Sequence, residues 1–284
     1  MAHAVSPRTV KGFLSIAASV SLLIAPTIYA AVDVTWGLKG QDVSGSNSIY
    51  ASTATGGTYT YTGNDGDTNA SNNVSVKISG WAQHYDDRIY NHNSQLIHYG
   101  SGLGLYHQYN DGDHEIDNAG YQEFIVFHFD EPVSLSTYSF GWVDTDADST
   151  VLAYDPNGDG LHTGSETNSD LGLTSSDSVS DLLTNGWDAI GHYEGNSSAP
   201  QSIDISSDTA DIFSSYWIIG AYLSDITPLL SGGSYKKDAF KLASLGVMRE
   251  PTDTPDGETP APSSAYLLLI GLAVFARRKY LHVR

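Results

Sequence analysis

An all-β fold, a single sandwich of jelly-roll type, is what this chain predicts, and three observations predict it. Val74, Val76 and Ile78 alternate with Ser75, Lys77 and Ser79, the period of two that marks a half-buried strand. Residues 124–129 (Phe-Ile-Val-Phe-His-Phe) form an apolar run that reads as a central strand. Gly, Asn, Asp and Ser fill the gaps between such runs, as turn chemistry requires.

In chain order, residues 1–30 read as a secretory signal peptide. Arg8 and Lys11 give a basic start, residues 12–25 an apolar stretch, and Ile28-Tyr29-Ala30-Ala31 a small-residue end that predicts cleavage after Ala30. Residues 31–249 form the sandwich domain. Residues 32–38 and 58–62 are weak strands, and residues 45–73 a long loop or loosely packed hairpin. The strand around Val76 follows, then 124–129 with Asp130-Glu131-Pro132 as its turn, then strands at 135–143, 151–154, 216–223 and 240–247. Residues 178–184, with Leu182-Leu183 inside, are the one short helix. The 18 tyrosines suit strands whose rings pack while their hydroxyls reach water.

Residues 250–262 are a Pro/Thr/Asp linker carrying Pro251, Pro255, Pro260 and Pro262. Residues 263–284 begin with Ser263-Ser264, continue as the apolar run 265–276 and turn basic at Arg277-Arg278-Lys279. The run predicts a short hydrophobic anchor helix about 18 Å long at ~1.5 Å per residue, against roughly 20 apolar residues for a comfortable span. Flanking residues and snorkelling cations close part of that gap. The basic end would lie on the cytoplasmic side, leaving the rest of the chain outside.

The charge excludes one class of partner. All 33 acids lie between Asp33 and Glu258, and only seven of the 13 Lys/Arg do, so the exported part has a formal charge of −26. Such a field repels nucleic acid and anionic lipid and favours cations. There is no cysteine, hence no disulfide, thiolate metal site or Cys nucleophile. No G-x-S-x-G elbow and no H-E-x-x-H pair is present, and the chain is read as non-enzymatic.

The tail carries a family resemblance. Pro260-Ala261-Pro262-Ser263-Ser264, the apolar run and Arg277-Arg278-Lys279 resemble the PEP-CTERM sorting signal, with Ala261 where that signal usually has Glu. The resemblance implies a Gram-negative bacterium and an exosortase-like membrane enzyme as partner. It also implies delivery to the cell surface or an exopolysaccharide matrix. A second stretch resembles the exosortase-dependent surface proteins: Gly102-Leu103-Gly104, His114 to Asn118, residues 124–133, Phe140-Gly141-Trp142 and the Asp-rich stretch to Tyr154. It implies localisation and fold and adds no reaction.

The sharpest chemical motif is Asp155-Pro156-Asn157-Gly158-Asp159-Gly160 with Glu166 six residues after the glycine, which fits the D-x-[DN]-x-[DN]-G-x5-E calcium loop. Asp155, Asn157 and Asp159 supply oxygens at alternate positions, Gly160 allows the bend, and the Leu161 carbonyl and Glu166 close a hard-oxygen shell for Ca2+. Asp144, Asp146 and Asp148 form a second acidic cluster that could join those ligands. Residues 110–118 make a third polar stretch, able to bind a cation or sugar hydroxyls. His84, His92, His98 and His107 are spaced too irregularly to define one face. Trp36, Trp81, Trp142, Trp187 and Trp217 are core residues or a sugar-stacking platform. The reading is thus a calcium-supported surface protein. The alternatives are a carbohydrate-binding module for exopolysaccharide and a secreted glycan-active hydrolase.

Overall fold

The computed structural model describes residues 33–39, 59–63, 74–92, 96–106, 114–144, 146–195, 199–229 and 237–250. The signal peptide with its Ala30–Ala31 junction lies outside them. So do the linker after Glu250 and the tail, including Pro260, Ala261, Pro262, Ser263, Ser264, the apolar run, Arg277, Arg278 and Lys279.

Among the described residues the chain is all-β, a 14-stranded sheet with continuous hydrogen bonding. Its spine is β8 (Gln122–Val143), 22 residues long. The first half of that strand lies between β3 (Val74–Gln83) and β13 (Phe213–Ala221). The second half lies between β12 (Gln201–Asp204) and β14 (Ala239–Arg249). Beyond β13 come β9 (Ser149–Tyr154) and then β11 (Trp187–Tyr193). β3 also carries β2 (Tyr59–Gly63) and β4 (Ile89–Asn91). β14 carries β1 (Asp33–Gly37), β7 (Ile116–Asp117) and β6 (Gly102–Leu105), with β5 (Leu96–Tyr99) outside β6. The short β10 (Leu161–His162) is added to β13 in parallel, and the other pairs are antiparallel.

The sequence predicts two sheets; the hydrogen bonding runs through both halves of β8 as one. The predicted turn at Asp130-Glu131-Pro132 is strand instead. The ladder to β13 passes from Tyr216 opposite His128 to Ser214 opposite Val133, so the register moves further along β8 than along β13. The surplus residues let β8 swing from one set of neighbours to the other without ending. Pro132, which has no N–H to donate, falls in that unpaired stretch. Side chains secure the bend. Trp217 Nε1 donates to the carbonyls of Val133 (3.0 Å) and Ser214 (3.1 Å). Arg249 grips the Glu131 carboxylate in a two-pronged contact, with Nη2 at 3.0 Å from Oε2.

The run 124–129 is apolar because both faces of that half-strand are covered. Ile125, Phe127 and Phe129 share one buried cluster with Leu135, Tyr138 and Phe140 from the other half of β8 and with Trp36, Trp217, Leu245 and Val247. Phe124 and Val126 face the opposite way, onto Leu152, Tyr216 and Ile218, beneath Leu171, Leu173, Val179 and Leu182. Leu182 sits in a 3₁₀ turn, Ser180–Asn185, where the sequence predicts a short helix; Gly186 ends it at φ +94°. Gly141 has no room for a side chain, since a Cβ there would collide with the carbonyl of Ser101. Four of the five tryptophans (36, 81, 187 and 217) are buried. Trp142 is half-buried beneath the Lys241 ammonium, 4.2 Å from its ring centroid.

One consequence of this packing is a pH dependence. Burial holds the His98 imidazole on β5 down at about 4. The unfolded chain therefore binds that proton more tightly, and stability is complete above about pH 6.5 and lost as pH falls towards 4. The loss is at most about 3 kcal/mol, less the screening of its exposed part. His98→Gln is expected to flatten the urea-midpoint profile between pH 6.5 and 4. An identical slope in both proteins would assign the acid sensitivity elsewhere.

Candidate metal centre

Where β8 ends and β14 begins, three chain segments converge. The pairing of Val143 with Phe240 closes the ladder, Asp144 N donates to Ala239 O (3.1 Å), and Ala239 N donates back to Asp146 O (3.0 Å). The irregular residues before β9 are thereby pressed against Asp238. The carboxylates of Asp146, Asp148 and Asp238 each place an oxygen within 4.8 Å of the other two. Asp238 is fully buried, Asp148 is 4% exposed, and Asp146 is half-buried.

Backbone and amide groups orient the three. Asp238 Oδ1 accepts the Asp148 N–H (3.0 Å) and Oδ2 accepts Asn118 Nδ2 (2.7 Å). Asn118 Oδ1 in turn accepts the Asp238 N–H (2.9 Å), so this pair is locked reciprocally. Asp148 Oδ1 accepts the Gly195 N–H (3.1 Å), and Asp146 Oδ1 accepts the Ala147 N–H (3.1 Å). At Asp238 these donors favour the ionised carboxylate, but burial disfavours it more strongly. Burial, reinforced by the charges of Asp148 and Asp146, pushes Asp238 up to about 7 despite the hydrogen bonds from the Asp148 N–H and Asn118. Three oxygen donors held this closely, two of them shielded from water, can hold a metal ion, and carboxylate oxygens suit a hard divalent cation.

Asp146 and Asp148, predicted as an acidic cluster, are thus brought together. Asp144 is not part of the group: its exposed side chain lies 3.9 Å from Lys237 Nζ. The sequence pattern does not mark Asp238 as a ligand. The one hint in the sequence is its place at the start of the apolar run of β14, since nothing local signals that it meets residues ninety positions earlier.

The Asp155 loop turns sharply, as its glycines predict. Asp155 Oδ1 accepts the N–H groups of Gly158 (3.0 Å) and Asp159 (3.3 Å), and Oδ2 that of Gly160 (2.6 Å). Gly160 stands at φ +78°, and a Cβ there would lie 2.6 Å from Asp211 O. Asp159 Oδ1 accepts the Leu161 N–H (3.1 Å); Asn157, Asp159 and Leu161 are exposed. Glu166 Oε1 is 3.2 Å from His162 Nε2. Asp155, Asp159 and Glu166 are not among the carboxylates that gather within 4.8 Å of one another in the described residues. Nor do the two acidic regions join. Asp148 and Asp155 stand at opposite ends of β9, roughly 20 Å apart at about 3.3 Å per residue, too far to share one ion. Neither a family model, nor a curated protein, nor a solved structure matches the chain.

Proposed function

We propose that the chain is an exported, non-enzymatic surface protein whose folded unit is a β-sandwich tied by Ca2+. On this reading the two halves of the sheet pack face to face about the bend in β8, and the ion joins the segment before β9 to the start of β14. The observation that carries the calcium part is the Asp146, Asp148 and Asp238 cluster, an all-oxygen set in a region of excess negative charge. Magnesium demands near-ideal octahedral geometry and keeps several waters, which suits backbone-pinned carboxylates, two of them buried, less well. The role is structural because each of these carboxylates also accepts a backbone N–H, which fixes it in place.

Export and sorting are supported by the tripartite tail at 260–279 and the basic-apolar-small pattern at 1–31. The partners implied are an exosortase-like enzyme, the membrane it works in and the extracellular polysaccharide beyond it. The localisation is the inner membrane and periplasm in transit, then the cell surface or matrix. The test is intact mass and fractionation of the native protein beside a form lacking residues 251–284. Loss of both end segments with release to the surface or medium is the expected result. Retention of the whole tail in the inner membrane would show that Ala261 has disabled processing and would overturn the sorting part.

A further inference from the structure

The hairpin between β3 and β4 carries a largely exposed aromatic side chain, Tyr85. His84 N donates to Arg88 O (2.9 Å) and Asp87 N to His84 O (3.0 Å), with Asp87 at φ +57°, so the turn holds Tyr85 outward. Tyr85 is 71% exposed. A single exposed tyrosine needs no explanation. This one belongs to a braced cluster of rings tilted by 40–43° to one another. Its ring lies 4.9 Å from Tyr121, Tyr121 4.2 Å from His84, and His84 4.4 Å from Tyr90. His84 Nε2 is hydrogen-bonded to the Nε2 of buried His92 (2.8 Å), and Tyr90 OH donates to Asp86 (2.8 Å).

Beside the cluster opens a cavity of about 280 Å³, close to the lower end for small-ligand sites, roughly 300 Å³. Its lining is polar as well. Asp225 Oδ2 accepts hydrogen bonds from both Gln83 Nε2 (2.6 Å) and Gln122 Nε2 (2.8 Å). Asn118 lines the same cavity. A cavity lined by tyrosine rings together with planar amides and a fixed carboxylate matches the chemistry of a sugar ring, whose C–H face packs on an aromatic ring and whose hydroxyls donate and accept.

We infer that this cleft binds a neutral polysaccharide, with a sugar ring packed against Tyr85 and Tyr121 and its hydroxyls taken by Asp225 and the neighbouring amides. Charge selects the neutral class. The cleft's acids Asp87 and Asp225 lie in a region of formal charge −26, which repels uronate or sulfate polymers. The braced cluster means that little side-chain freedom is lost on binding. The inference goes beyond the calcium-tied scaffold, with which the cleft shares Asn118, the residue that orients Asp238.

The test is calorimetric titration of the full chain, calcium-replete, with soluble hexaoses of glucose and mannose in β-1,4, β-1,3 and α-1,4 linkage and with alginate oligomers as the anionic control. Binding of at least one neutral hexaose is expected, weakened about tenfold or more in Tyr85→Ala and kept in Tyr85→Trp. Asp225→Asn is expected to weaken it at least as much, because a charged acceptor is lost. Tyr85→Ala is expected to change the melting temperature by only a few degrees, since the side chain is 71% exposed. No heat with any neutral hexaose, equal binding in Tyr85→Ala, or tighter binding of alginate would each overturn the inference.

Discussion

Calcium added to the metal-stripped protein at pH 7.5 is expected to raise its melting temperature by roughly 5–10 °C. At free calcium 100 times Kd, binding to the folded state alone contributes about 2.7 kcal/mol. A domain of this size shifts by roughly 2–4 °C per kcal/mol. A Kd of about 10⁻⁴ M, the tight end of the range for extracellular modules, sets the working concentration at about 10 mM. Asp146→Asn with Asp148→Asn should abolish the shift while leaving the metal-free protein close to the wild type in stability. Asn keeps an acceptor for the Ala147 and Gly195 N–H groups and removes the crowding of charge around Asp238. A melting temperature that ignores calcium would sink the proposal. A shift that survives in this double variant and disappears in Asp155→Ala with Asp159→Ala would move the ion to the Asp155 loop.

The pH dependence of that shift has a definite sign. Asp238 is raised to about 7 in the metal-free fold, above the unfolded carboxylate value of about 3.9. Its proton is therefore held more tightly by the folded state. That contribution is complete below about pH 3.9 and is lost as pH rises towards 7. Calcium competes with the proton, so the thermal shift should grow over the same window and be small at pH 5.

Trp217→Ala is expected to cost about 3–5 kcal/mol, lowering the melting temperature by roughly 6–20 °C. Trp217 is fully buried, and its N–H bonds the carbonyls of Val133 on β8 and Ser214 on β13, which face each other where β8 changes partners. Trp217→Phe separates the two contributions. It keeps most of the apolar contact and leaves the Val133 and Ser214 carbonyls without that donor, a loss of about 1–3 kcal/mol. Calorimetric scans of both variants check this. A Phe variant as stable as the wild type would mean that the two hydrogen bonds contribute nothing to holding the bend.

The strands that can be read in the sequence are those whose burial is regular. Val74 to Ile78 alternates because one face of β3 is covered, and 124–129 is continuous because both faces of β8 are covered. Asp130-Glu131-Pro132 misleads because acids and proline ordinarily end a strand, whereas here Asp130 accepts the Ser75 N–H (2.8 Å) and Glu131 pairs with Arg249. Both partners are distant in sequence. β11 and β12 escape because polar residues and Gly191 blur their period. The site divides in the same way. Asp146 and Asp148 are legible as neighbours, while Asp238 joins them only through the β8–β14 ladder. The Asp155 motif is legible as a turn, and its carboxylate is oriented by amides within its own loop.

The placement of β14 has a mechanical consequence. It is flanked by β8 on one side and by β1, β6 and β7 on the other, and it is the last strand of the described residues, ending at Arg249. Ladder hydrogen bonds lie across the strand, so a pull applied at Arg249 along its axis loads the two rows together instead of peeling them one bond at a time. A protein held to a surface by its last strand would thus meet tension from its tether in the direction in which its sheet resists most.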